Sequence, residues 1–199
     1  MAYVDETYRD GQFGETPFYV LTAVVLAPEV RYATRAALMS IVPDGYWHTT
    51  DALMTESGRK TTRELVGFMA EYKDPCILSV RHELQDFTSL ESMRASCLRT
   101  LMSALSQGRS TDPGWDPVRL VIMEARRHQK DQARDQHTAR QARSEGILPR
   151  TFELFHTSPT LEQLLWLPDL VCAAYRRRLT HGEDYLDPLE SQMVILESP

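Results

Sequence analysis

Hydrophobic positions follow two patterns along this chain. The first is a set of six short runs, at residues 3–7, 18–26, 76–80, 118–123, 151–156 and 193–196. Their length, their β-branched and aromatic residues and the turn residues around them predict β-strands. Residues 18–26 (FYVLTAVVL) are nearly all apolar, which predicts a strand deep in a sheet. The run at 118–123 is of the same buried kind and stops at Glu124. The run at 193–196 lies in an acidic tail and suits an edge strand.

The second pattern is helical. Pro28 fits the first turn of a helix reaching Ile41, which Pro43-Asp44-Gly45 breaks. Residues 57–72 place Leu65, Phe68, Met69 and Tyr72 on one stripe. Thr88 and Glu91 have capping-box spacing, and the helix they would open aligns Leu90, Met93, Cys97, Leu101 and Leu105. The helix predicted at 130–145 has only alanines as apolar residues, so it is expected to bury little. It would project from the body or lie against a partner or ligand. At 164–178, Leu165, Val171, Ala174 and Tyr175 are core candidates. Thr160 with Gln163 forms a second capping box, yet Pro168 prefers a first turn. That helix starts near Trp166 or bends there. Between the elements, Asp10, Gly11 and Gly14 mark a flexible turn, and 108–117 is a loop.

The 199 residues give no clear linker, repeat or low-complexity segment, which predicts one domain with a helical insertion at about 28–74 and an acidic tail at about 182–199. With the insertion removed, three strands precede a helix. A fourth strand, a helix, a fifth strand and a terminal helix follow. That is the order of the ribonuclease H-like α/β fold, with a mixed sheet and flanking helices. In it the first and fourth strands are neighbours at the sheet centre, and the terminal helix packs across their ends.

Composition changes this picture little. Hydrophobic content of 42% and charged content of 25% are ordinary for a globular protein. Cys76, Cys97 and Cys172 form no C-x-x-C pair, which predicts free thiols in a reducing cytoplasm. No signal peptide is visible and no run approaches the ~20 apolar residues of a membrane span. The net charge of −6 argues against a bulk nucleic-acid coat. Its distribution is uneven: −5 over residues 1–117, +4 over 118–181 and −5 over 182–199. The basic segment could meet phosphate or could be a solvated helix face.

The candidate chemistry lies in isolated acids. Asp5 and Glu6 end the first strand and must point to opposite faces. Glu124 ends the fourth, and Asp169 interrupts the apolar run LLWLPDLV. In a ribonuclease H-like arrangement Asp5 or Glu6 would converge with Glu124 and Asp169. Unpaired carboxylates crowd together only at a cost that a hard divalent cation offsets, and Mg²⁺ or Mn²⁺ suits oxygen ligands of this kind. Two such ions can hold the attacking and leaving oxygens of a phosphoryl displacement. Asp169 is equally well explained as a carboxylate favoured by a helix N-terminus. His48 could contact substrate or shuttle a proton, or be a partly buried histidine beside Tyr46 and Trp47. Arg126, Arg127 and Lys130 follow Glu124 and could hold phosphates. Asp131 and Asp135, four apart, could extend a metal site or pair with Lys130 and Arg134. The helix dipole alone accounts for Arg176-Arg177-Arg178.

Four segments carry a resemblance: Tyr3-Val4-Asp5-Glu6, Trp47-His48-Thr49-Thr50-Asp51, Val121-Ile122-Met123-Glu124-Ala125-Arg126 with Asp131 and Asp135, and Leu165 to Val171 around Asp169. In order and spacing they resemble the family known as domain of unknown function 3800 (DUF3800), grouped with ribonuclease H-like folds. Thr7-Tyr8 stands where that family usually has Ser-Gly, and Trp166 and Pro168 where Gln and Ala are common. The resemblance implies a metal-dependent phosphodiesterase or nuclease site acting on nucleic acid or a nucleotide. The alternative is a non-catalytic ribonuclease H-like binding module, of a toxin, mobile-element or defence system, with helix 130–145 as its protein-contact surface. Phosphate-loop, dinucleotide, nucleophile-elbow and H-E-x-x-H motifs are absent from the sequence.

Overall fold

The computed structural model describes residues 1–11, 16–82 and 89–199. Its centre is a six-stranded mixed sheet with helices on both faces, an α/β architecture. The strands are β1 (Ala2–Arg9), β2 (Phe18–Val25), β3 (Cys76–His82), β4 (Leu120–Glu124), β5 (Glu153–Thr157) and β6 (Met193–Glu197). Their order is β5-β4-β1-β2-β3-β6. β2 is antiparallel to β1 and β3, and the other three pairings are parallel. β2 is buried along its whole length, as its apolar run requires of a strand covered on both faces.

Alternation along the strands divides the core in two. Tyr3, Val20, Val24 and Leu78 face one cluster, which α1 (Arg31–Ile41), α3 (Glu56–Tyr72) and α6 (Trp166–His181) complete. Ala2, Val4, Leu21, Ile77 and Val121 face the other, under α4 (Leu90–Gln107) and α5 (Gln129–Ser144). A four-residue helix, α2 (Thr49–Ala52), lies before α3 and packs on α6. Cys76, Cys97 and Cys172 are free and buried. Among the described residues no helix is long and apolar enough to cross a membrane.

Two helix starts differ from expectation. Thr88 of the first capping box lies outside the described residues, as does Gly14 of the turn after β1. Ser89 caps α4, accepting the Ser92 N–H at 3.2 Å, while Glu91 is paired with Arg126. The Thr160–Gln163 box does not cap either. Glu162 accepts the Leu164 N–H at 3.2 Å and starts a short 3-10 turn (Gln163–Leu165) that leads into α6. Pro168 then sits in the first turn of α6, where the missing N–H costs nothing.

The larger correction concerns α5. It does not project: Ala139 and Ala142 are fully buried, and Asp135 is 2% exposed. Alanine lets α5 approach α4 closely, so a helix poor in large apolar residues still packs. Its polar residues are used as well. Gln136 Nε2 donates to the Leu154 carbonyl at 2.7 Å, and Arg143 Nη1 to that of Phe152 at 2.8 Å. These side chains cover the outer edge of β5, the last strand on that side of the sheet, and satisfy backbone acceptors there.

Candidate functional site

The sheet creates a cleft because two of its central strands differ in length. β1 pairs with β2 as far as Arg9↔Phe18, but with β4 only as far as Val4↔Met123. Beyond Val4, the β4 side of β1 is open. The cavity here has a volume of about 720 Å³ and is lined by the end of β1, the end of β4, the start of α2 and one side of α6. It lies at the carboxyl ends of parallel neighbours, where α/β sheets commonly bind ligands.

Strand alternation puts Asp5 on the α6 side with Tyr3, and Glu6 on the α4 side with Val4. Asp5, Glu124 and Asp169 all line the cavity. Burial pushes the Asp5 carboxyl well above its ordinary range, and the charges of Asp169 and Glu124 push it the same way. Glu124 is raised by burial and then by Asp169, with nearby His48 opposing. Asp169 is raised by burial, against two hydrogen bonds from Thr49 that favour its charge. Asp5, Glu124 and Asp169 thus share one pocket, and the charges of Asp169 and Glu124 add to burial in raising Asp5. Among the described residues, no three Asp, Glu, His or Cys side chains are drawn together into a finished ligand cage.

Asp169 also has a scaffold role. Its Oδ2 accepts the Thr49 backbone N–H at 2.8 Å and the Thr49 hydroxyl at 2.7 Å. The N-cap of α2, His48, offers no side-chain cap, so the carboxylate of another helix satisfies that orphan donor. Trp47 Nε1 donates to the same Thr49 hydroxyl at 2.9 Å. The aromatic-polar segment thus fixes α2 on α6 and sets His48 at the cavity wall. The His48 ring is half exposed, and its Nδ1 lies 2.9 Å from Asp51.

Glu6 belongs to a different assembly. It accepts the Tyr19 hydroxyl at 2.5 Å and is paired with Arg94. Arg94, 2% exposed, holds Asp135 with a two-pronged grip at 2.7 and 2.8 Å and donates to Tyr19 at 3.0 Å. His156 Nε2 lies 3.0 Å from Asp135. Asp135 is therefore not near Lys130 or Arg134 in its pairing, nor does it extend the carboxylate cluster. Asp131 pairs with Arg134 at 3.3 Å, as one of its expected readings required.

The phosphate contacts expected after Glu124 are not assembled as a set. Arg126 lines the cavity but is paired with Glu91 and donates to the Asp131 carbonyl at 3.2 Å. Arg127 and Lys130 are exposed and outside the cavity lining. The cavity instead includes Arg176, seven residues after Asp169 on α6. Arg177 and Arg178 are held by Glu183, Asp187 and Glu190, so the triple is more than a dipole effect. The separation of seven, with Cys172 and Ala173 between, was the signal in the sequence. Arg94 also had one: it shares a helical face with Leu98, Leu101 and Leu105, where an unpaired charge would be costly.

No family model, curated protein or solved structure matches this chain.

Proposed function

We propose that this protein is a metal-dependent phosphodiester hydrolase of ribonuclease H-like fold, related to DUF3800. The sheet supports the fold reading: one antiparallel strand in second position, with the first and fourth strands as parallel neighbours. The observation that carries the functional reading is the placement of Asp5, Glu124 and Asp169 on the wall of one open pocket, where burial raises each carboxyl and neighbouring acids add to it for Asp5 and Glu124. Acids kept in repulsion, where Asn or Gln would be more stable, suit a cation-binding role.

Asp5, Glu124 and Asp169 would hold Mg²⁺ or Mn²⁺, and their all-oxygen donor set fits hard divalent ions. Such ions, when bound, would polarise a phosphoryl oxygen and lower the pKa of a water able to attack the phosphorus. Glu6 drops out of the ligand set, because Arg94 and Tyr19 already engage it. Its part is to anchor the end of β1 and so orient Asp5 beside it. Thr49 fixes one oxygen of Asp169. His48 lines the cavity and would give a proton to the leaving oxygen.

Calorimetric titration with Mg²⁺ and Mn²⁺ tests the proposal. Saturable binding to wild type that is lost in Glu124→Gln, with no loss of thermal stability, is the expected result. Equal heats for both proteins would remove the carboxylate site and favour the non-catalytic binding module.

A further inference from the structure

The cavity contains recognition elements that hydrolysis of a phosphodiester alone does not require. Tyr8 lines it, is 44% exposed, and lies directly opposite Tyr19 across the β1–β2 ladder. The two rings are parallel within 4°, with centroids 5.6 Å apart. Tyr19 is fixed below by its hydroxyl contacts to Glu6 and Arg94, so the stack has a rigid base. Tyr8 stands on the Glu6 side of β1 and, at the open edge of that strand, its partly exposed ring also lines the cavity. A flat, supported aromatic face on the wall of a polar cleft is a platform for another planar ring.

The second element is Arg176. Three other arginines line the cavity, and each is engaged: Arg94 by Glu6 and Asp135, Arg126 by Glu91, and Arg9 by the Thr16 carbonyl at 2.9 Å. Among the described residues, no hydrogen bond or ion pair holds the Arg176 guanidinium, although its neighbours Arg177 and Arg178 are both paired with acids. Arg176 lies two turns beyond Asp169 on the same side of α6, about 10 Å along the axis. Long helical side chains lean toward the helix N-terminus, which here is the carboxylate end. The Arg176 guanidinium is exposed on the cavity wall and, among the described residues, has no acid as partner, so it is free to receive a phosphate that also meets a cation held by the carboxylates.

We infer that the site takes single-stranded nucleic acid, with an unstacked base on the Tyr8 ring and a backbone phosphate on Arg176. This deepens the phosphodiester reading and rests on it. A base inside a duplex keeps both faces stacked on its neighbours and cannot lie on Tyr8. A single strand offers base and phosphate together. The arrangement distinguishes strand from duplex and leaves base identity unread, because stacking accepts any base.

The test is fluorescence anisotropy of a labelled 12-nucleotide strand, in deoxy and ribo forms, against the matching duplexes. Ca²⁺ is the cation, to allow binding at the acids. Wild type is expected to bind one or both single strands at least ten-fold tighter than duplex. Tyr8→Ala should lose about 5- to 150-fold of that affinity, the range measured for a base–aromatic stack, and Tyr8→Trp should retain it. Arg176→Ala should weaken binding about ten-fold and lower the salt dependence by about one ion, while Arg176→Lys keeps the salt dependence. Tyr32→Ala, 84% exposed and outside the cavity, is the control and should bind as wild type does. Equal binding of strand and duplex, or wild-type affinity in both alanine variants, overturns the inference. So does absence of any binding. Hydrolysis of a small chromogenic phosphodiester, which needs neither base nor strand, reads the parent proposal separately. Its persistence while strand binding fails would sink this inference alone.

Discussion

Asp5 and Glu6 are adjacent acids on one strand, and the two faces of the sheet treat them in opposite ways. On the α4–α5 side, Glu6 joins Asp135 around Arg94, with Tyr19 and His156 completing the hydrogen bonds. Burial opposes the charge of Asp135, but the bonds from Arg94 and His156 outweigh it and hold its carboxyl below the usual range. On the α6 side, Asp5 shares a pocket with Glu124 and Asp169, and all three carboxyls are raised. One face neutralises its acids and contributes to stability. The other leaves its acids raised, by burial first and by neighbouring acids after it. The comparison teaches that the identity of a residue says little about its role until the opposing face is known.

The largest effect should come from breaking the neutralised side. Arg94→Ala leaves Glu6 and Asp135 without their cation, and removing one partner of a buried pair costs about 3–5 kcal/mol. Urea unfolding of the variant measures this. A loss below about 1 kcal/mol would mean that water, not Arg94, satisfies these acids.

A smaller loss is expected for Asp135→Asn, and its pH dependence carries the sign. The folded pKa of Asp135 is depressed, so its stabilisation is full above the unfolded value near pH 4 and disappears as pH falls through the lower folded value. The stability gap between wild type and Asp135→Asn should therefore be constant at neutral pH and close in acid. A gap that persists at pH 2 would assign the effect to packing.

The smallest change should come from Asp5→Asn, and in the opposite direction. The folded pKa of Asp5 is raised, so its penalty begins above the unfolded value near pH 4 and grows as pH rises toward the folded value. The variant should be more stable than wild type by about 1 kcal/mol at pH 7, the usual scale for relieving strain at a functional site, and equal to it below pH 4. Added Mg²⁺ should raise the melting temperature of wild type and not that of the variant. Destabilisation at pH 7 would show that Asp5 is a structural acid, like Glu6 on the other face.

The elements with strong periodicity were legible because burial imposes it. The 18–26 run is β2, and Met93, Cys97, Leu101 and Leu105 are fully buried on α4. The run at 118–123 was read two residues early. Val118 donates its N–H to the Leu105 carbonyl in a connection that is buried yet not part of the ladder, so apolarity alone could not mark where β4 starts. The α5 helix misled for a related reason. Large apolar residues signal burial in a sequence, whereas α5 packs by close approach at Ala139 and Ala142 and by edge-covering hydrogen bonds.

The site divides in the same way. Alternation along a strand is local geometry, so the sequence by itself determined that Asp5 and Glu6 face apart and that Asp169 interrupts an apolar helix. The adjacency of β1 and β4 and an edge position for β6 were expected from the order of elements, whereas the pairing of β6 with β3 was not. Only the tertiary structure decided which acid met Arg94 and which met other acids. Arg94 and Asp135 are 41 positions apart and Thr49 and Asp169 are 120 apart. Contacts at such separations depend on how helices settle across the sheet, and no pattern of neighbouring residues encodes them.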